Sequence, residues 1–159
     1  MTIMTLLSDP PADERIEQVV AFDEKLVFIS SGAVAAIQDP GDIVNMTILA
    51  FRDGCSYRNR LIRWFGAYGM APERISDMSS YHTIMGAVAA GMGVGVMPAS
   101  IVELFPQKKT IAVHSFTHPL AKAPTSVIWR KRMSSANISA LLDCLHISLP
   151  NNTGSDYPL

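Results

Sequence analysis

Two short stretches carry the side chains best suited to hold a small molecule: Cys55-Ser56-Tyr57 and Ser79-Ser80-Tyr81-His82. Each stands where a β-prone run gives way to an amphipathic one, so each is expected at the start of a helix. There the first backbone N–H groups lack partners within the helix, and the helix dipole presents its positive end. With a hydroxyl beside them, such donors suit a carboxylate or similar anion. The same serines are also good helix caps, and spacing by itself favours that plainer role.

Other chemistries fit these residues less well. Cys55 at a helix start suggests a nucleophile with His82 as its base, but no cysteine-enzyme signature surrounds it, and a phosphatase-like loop needs an arginine where Leu61 stands. His114 and His118 lie four apart across a strand and turn rather than on one helical face, a poor start for a metal site. Gly91-x-Gly93-x-Gly95 runs from helix into strand, the reverse of a dinucleotide fingerprint, and reads as a tight turn needing positive φ angles. Asp53 and Asp77, the carboxylates at predicted strand ends, suit turns and caps. No catalytic residue, metal or cofactor is implied, and the chain reads as a non-enzyme.

The elements that must position the two helix starts follow from periodicity. Thr47 to Phe51 is a continuous β-prone run, as expected of a strand buried on both faces. In the helix that follows, Tyr57, Leu61, Trp64, Phe65 and Tyr68 share one face and Arg58, Asn59, Arg60 and Arg63 the other, with Gly69 and Pro72 ending it. Arg74 to Met78 is the next strand and Tyr81 to Ala90 the next helix, stopped by Gly91; Val94 to Met97 is another buried strand. Further strands are expected at Thr2–Leu7, Leu26–Ser30, Thr110–Phe116 and Thr125–Arg130, a short helix up to Phe105, and an amphipathic helix over Ser135–His146. This alternation predicts an α/β fold with a mostly parallel sheet covered on both faces.

Composition agrees with one ordinary domain. The 159 residues are 48% apolar and 17% charged, which excludes a disordered or fibrous chain, and a net charge of -1 leaves no general nucleic-acid footprint. Two distant cysteines, Cys55 and Cys144, and no basic-flanked leader point to the cytoplasm. Ser79 to Val102 holds no Asp, Glu, Lys or Arg, yet Gly91, Gly93, Gly95 and Pro98 divide it into a helix and a strand rather than a membrane span.

The run Tyr81-His82-Thr83-Ile84-Met85-Gly86-Ala87-Val88-Ala89-Ala90-Gly91-Met92-Gly93-Val94-Gly95-Val96-Met97-Pro98 resembles the glycine-rich signature of LysR-type transcriptional regulators. Cys55-Ser56-Tyr57-Arg58, with Leu61, Trp64 and Phe65, looks like that family's Ser-x-Arg helix start, and Val127-Ile128-Trp129-Arg130-Lys131 like its final strand. The resemblance implies a periplasmic-binding-protein-like (type 2) effector domain with a ligand between two lobes. It makes Cys55, Ser56, Tyr57, Ser79, Ser80, Tyr81 and His82 ligand-facing and places a hinge at Phe28, Ile29, Val127 and Ile128.

By position, residues 1–149 correspond to part of that domain: 30–127 to a complete Rossmann-like lobe, and 1–29 with 128–149 to a remnant of the other, followed by a flexible tail at 150–159. The family's winged helix-turn-helix and the opening βαβ portion of its first lobe have no counterpart, so the chain resembles an N-terminally truncated regulator. The implied partners are a small anionic effector, a second copy in the parent protein, and DNA only through the absent domain, with no membrane. The alternative is a solute-binding domain of the same fold unconnected to transcription.

Overall fold

The computed structural model describes residues 4–106, 108–133 and 136–147. The expected tail at 150–159 and Ser135, the expected start of the last helix, lie outside the described residues. In chain order the elements are β1 (Met4–Ser8), β2 (Ile16–Phe22), β3 (Leu26–Ser31), β4 (Thr47–Phe51), α1 (Ser56–Ala67), β5 (Arg74–Met78) and α2 (Tyr81–Ala89). There follow β6 (Val94–Pro98), α3 (Ala99–Glu103), β7 (Ile111–Ser115), β8 (Thr125–Arg130) and α4 (Ala136–Cys144).

The chain forms two compact units, one from the residues up to Asp23 with those from Pro124 onward, the other Glu24–Ala123. In the first, β8 lies between β1 and β2 and is antiparallel to both. Its inward residues Val127 and Trp129 pack with Ile138 and Leu142 of α4, and the Trp129 indole N–H donates to Glu17 Oε2 at 2.7 Å. Strand β2 is an element that periodicity missed. Its inward positions are Glu17, Val19 and Ala21, while Val20 and Phe22 are exposed, so apolar residues fall on both faces and the alternation is blurred. Pairing with β8 makes this segment a strand.

In the larger unit the strand order is β5-β4-β6-β3-β7. Strand β4 is parallel to β5 and β6, whereas β3 is antiparallel to both β6 and β7. The expectation of a mostly parallel sheet is corrected accordingly: the fold is mixed, because β3 enters between β6 and β7 running against them. All of Val94–Pro98 is buried, as the apolar run requires of a central strand.

Alternate residues of each strand feed two cores. Leu26, Phe28, Ile48, Ala50, Val94 and Val96 meet Leu61, Trp64 and Phe65 of α1; Val27, Ile29, Leu49 and Met97 meet Ile84, Met85 and Val88 of α2. The two helices therefore cover opposite faces. Each large side chain fully buried on α1 contributes about 2 kcal/mol, enough for three such residues to anchor the helix start that forms the candidate site.

The glycine run serves packing more than turning. Gly91 has φ +75°, but Gly93 and Gly95 do not take positive φ. A Cβ on Gly93 would come 2.1 Å from the carbonyl oxygen of Thr47, and one on Gly95 2.7 Å from Ile84 Cγ2. These two glycines let β6 approach β4 and α2 closely. The charge-free run from Ser79 resolves into α2, β6 and the start of α3, and among the described residues no helix is long and apolar enough to cross a membrane.

The sequence-expected lobe ran from Ser30 to Val127. The compact units part at Asp23/Glu24 and Ala123/Pro124, so all of β3, including Phe28 and Ile29, lies in the larger unit, and all of β8, including Val127 and Ile128, in the smaller. The two chain crossings are neighbours: the Ala123 N–H donates to Glu24 O at 2.8 Å, and Lys25 forms an antiparallel bridge with Lys122.

Candidate functional site

The order β5-β4-β6 means that the chain leaves β4 for α1 on one face of the sheet and leaves β5 for α2 on the other. Where neighbouring strands send their connections to opposite faces, a crevice opens beyond their carboxyl ends. A cleft of about 620 Å³ lies there. The end of β4 supplies Phe51, Arg52 and Asp53, and the start of α1 supplies Cys55 and Tyr57. The end of β5 and start of α2 supply Met78, Ser79 and Tyr81.

Of the seven expected ligand-facing residues, Cys55, Tyr57, Ser79 and Tyr81 line the cleft. Ser80 has the capping role: its Oγ accepts from Thr83 N at 3.2 Å while Thr83 Oγ1 accepts from Ser80 N at 3.1 Å. Ser56 is the first residue of α1; the capping position is Cys55, whose thiol makes no cap hydrogen bond. The first N–H groups of α1 therefore receive no side-chain cap, whereas α2 closes its own start. His82 is exposed and its ring packs on Phe105, with centroids 5.1 Å apart, so it does not line the cleft beside Cys55.

The inner wall is aromatic and neutral. Phe51 and Tyr81 meet edge to face with centroids 4.9 Å apart, and the Tyr57 side chain stands close to the Tyr81 phenol. Burial, reinforced by Tyr57 and Cys55, pushes the Tyr81 phenol well above its ordinary range, so it stays protonated.

Two arginines that periodicity assigned to the solvent face of α1 are instead turned inward. Arg58 Nη1 donates to Phe51 O at 3.1 Å and to Asp77 Oδ1 at 2.6 Å, joining the ends of β4 and β5 behind the cleft. Arg60 is only 8% exposed and donates from Nη1 to the carbonyl oxygens of Leu120, at 3.1 Å, and Lys122. Three consecutive polar residues, Arg58, Asn59 and Arg60, separate Tyr57 from Leu61, and nothing local says which of them finds buried acceptors.

The histidines serve structure. His114 Nε2 lies 2.6 Å from the buried Ser30 Oγ, and His118 Nδ1 accepts from Leu120 N at 3.2 Å. Among the described residues no group of three or more His, Cys, Asp or Glu side chains is placed to hold a metal.

Comparison with known proteins places this architecture. Among solved structures, the regulatory domain of CcmR from Synechocystis PCC6803, in complex with 2-PG, superposes with a TM-score of 0.77 at 17% identity, covering 90% of this chain and 71% of that one. Full-length BenM gives 0.75 at 18% identity, covering 94% and 54%. In sequence, the HTH-type transcriptional regulator GltR of Bacillus subtilis is 29% identical over 125 residues, which is 79% of this chain and 42% of GltR. YofA of Bacillus velezensis is 31% identical over 121 residues, 76% of this chain and 41% of YofA. The chain thus spans about two fifths of the length of these regulators. Residues 4–149, which carry both units and every wall of the cleft, match the LysR substrate binding domain, and the chain belongs to that family.

Proposed function

We propose that this domain senses a small anionic metabolite on behalf of a LysR-type transcriptional regulator, in the cytoplasm and without catalysis. The observation that carries this reading is the cleft at the ends of β4 and β5, built within the family-matched residues and flanked by the uncapped start of α1. Cys55, Ser56, Tyr57, Ser79 and Tyr81 face the effector, while Ser80 and His82 hold the start of α2 in place. Among the structural relatives, the BenM effector-binding domain has been solved with its effector benzoate and CcmR with 2-PG, which supports a small acid as the class of ligand.

Sensing needs a second state. An effector acts only if it binds one arrangement better than another. The chain crossings beside Glu24 and Ala123, into which the strands bearing Phe28, Ile29, Val127 and Ile128 lead, are the proposed hinge. DNA is contacted through a part of the parent regulator outside these residues, and the parent works as a homo-oligomer; full-length CbnR, a structural relative, has been solved with its target DNA.

The test is a thermal-shift series of the chain against small carboxylates, with Ser56→Ala and Tyr57→Phe beside it. A ligand at about a hundred times its dissociation constant adds roughly 2.7 kcal/mol to stability, which both variants should diminish without altering the melting of the free protein. A ligand that stabilises wild type and both variants equally places the site elsewhere.

A further inference from the structure

The chemistry of the cleft wall selects among small acids. The walls offer aromatic and thioether surface in Phe51, Tyr57, Met78 and Tyr81, with the Phe51–Tyr81 edge-to-face pair at 4.9 Å forming one side. Apart from Arg52 and Asp53, their polar contribution is neutral: the hydroxyls of Tyr57 and Tyr81, a thiol and Ser79.

The charged groups of the lining, Arg52 and Asp53, are both exposed and of opposite sign, and sit at the rim. Of the nearby Arg58 guanidinium, Nη1 is held by Asp77 Oδ1 and the Phe51 carbonyl, and the buried Nε has no hydrogen-bond partner among the described residues. A phosphorylated or polycarboxylate ligand would bring two or more negative charges against a largely aromatic and thioether wall whose lining cation, Arg52, is solvent-exposed and next to Asp53 in sequence, giving up hydration for little charged compensation. A ligand with a single carboxylate and a flat apolar body loses less hydration and gains ring contacts with Phe51 and Tyr81 and a sulfur contact with Met78.

We infer that the cleft takes an aromatic monocarboxylate, its ring among Phe51, Met78 and Tyr81 and its carboxylate toward Tyr57 and the start of α1, in preference to phosphorylated or polycarboxylate metabolites. This rests on the reading of the cleft as the effector site. The cleft, open to solvent and about 620 Å³ in volume, has room for a one-ring acid.

Isothermal titration of the chain with benzoate, succinate and 2-phosphoglycolate, paired with thermal melts, tests it. Benzoate should saturate at one site and raise the melting temperature, with the other two at least about tenfold weaker, a difference of 1.4 kcal/mol. Phe51→Leu, which keeps an apolar side chain but removes the ring, should weaken benzoate about three- to tenfold, while Tyr81→Phe, which keeps the ring, should change it less. Circular dichroism confirms that both variants stay folded. Tighter binding of succinate or 2-phosphoglycolate, lost in Tyr57→Phe, would overturn the ligand class and leave the effector site standing. Benzoate binding unchanged in Phe51→Leu would move the ring elsewhere and overturn the inference. No saturable binding by any of the three acids overturns both.

Discussion

Arg58 and Asp77 sit 19 residues apart and meet at 2.6 Å, and the same guanidinium nitrogen holds the carbonyl of Phe51 at 3.1 Å. One side chain on α1 thus ties together the ends of the two strands whose loops form the cleft. Arg58 has 15% of its side chain exposed and Asp77 56%, so the pair is asymmetric: the cation is nearly covered, the anion mostly solvated.

Removing the two partners should therefore cost different amounts. Asp77→Ala should lower stability by about 1 kcal/mol or less, as expected for a solvated carboxylate. Arg58→Ala should cost about 2 kcal/mol, since it also strips a buried stem and the bond to the Phe51 carbonyl. Urea denaturation of both singles and the double measures this, and equal costs with no coupling would show that the bridge does not organise the strand ends.

Arg60, two residues further along the same helix, is a second brace. Losing its bonds to Leu120 and Lys122 leaves buried carbonyls without a donor, and Arg60→Ala should cost about 2–3 kcal/mol. Hydrogen exchange should quicken at Ala121 and Ala123, whose N–H groups bond His118 O and Glu24 O. Arg60→Lys should restore only part, because a single ammonium does not reproduce the guanidinium fork. Unchanged exchange at Ala123 in Arg60→Ala would mean the turn holds itself.

The glycines of the signature run should rank by what surrounds them. Gly91→Ala pays for a left-handed backbone, about 1 kcal/mol. Gly93→Ala drives a methyl against the Thr47 carbonyl backbone, 2.1 Å away, and should cost about 3 kcal/mol or prevent folding. Melting temperatures of the two variants give the order directly; a milder effect at Gly93 would contradict the close approach of β6 to β4.

Acid should weaken the fold in two stages. His114 is shifted below its ordinary value of 6.5 by burial, so the folded form binds its proton less readily than the unfolded form does. Its contribution is complete above about pH 6.5 and declines as pH falls from there through the depressed folded value. Asp42, lowered from 3.8 by the Gln38 and Asp39 backbone N–H groups, begins to lose its share only below about pH 4. Melts between pH 5 and 8 should therefore slope in wild type and flatten in His114→Gln; an identical slope in the variant would assign the effect to another group.

Local signals made much of this molecule legible. The unbroken apolar run of β6, the apolar stripe Leu61-Trp64-Phe65 on α1, and the serine-led start of α2 each depend on residues within a few positions of one another, and each appears in the fold as read. The two helix starts were legible for the same reason, as was the family resemblance of the glycine run, and four of the seven residues named there line the cleft. The capping role of Ser80 was legible as a possibility, but deciding it against ligand contact needed the orientation of its hydroxyl toward Thr83.

What the sequence by itself determined was the identity of elements whose stabilising contacts are local and periodic, and the α/β class their order imposes. Tertiary structure alone decided whatever depends on a distant partner. Strand β2 exists because β8 pairs with it, with inward Glu17 satisfied by Trp129, 112 residues away. Arg60 is buried because the carbonyl oxygen of Leu120, 60 positions on, comes to meet it. The reversed entry of β3 between β6 and β7 sets the boundary between the two units, and that depends on which strand edges find each other. Periodicity reports which side of an element is apolar; it carries no information about which polar group a buried charge will find, because that acceptor belongs to another part of the chain.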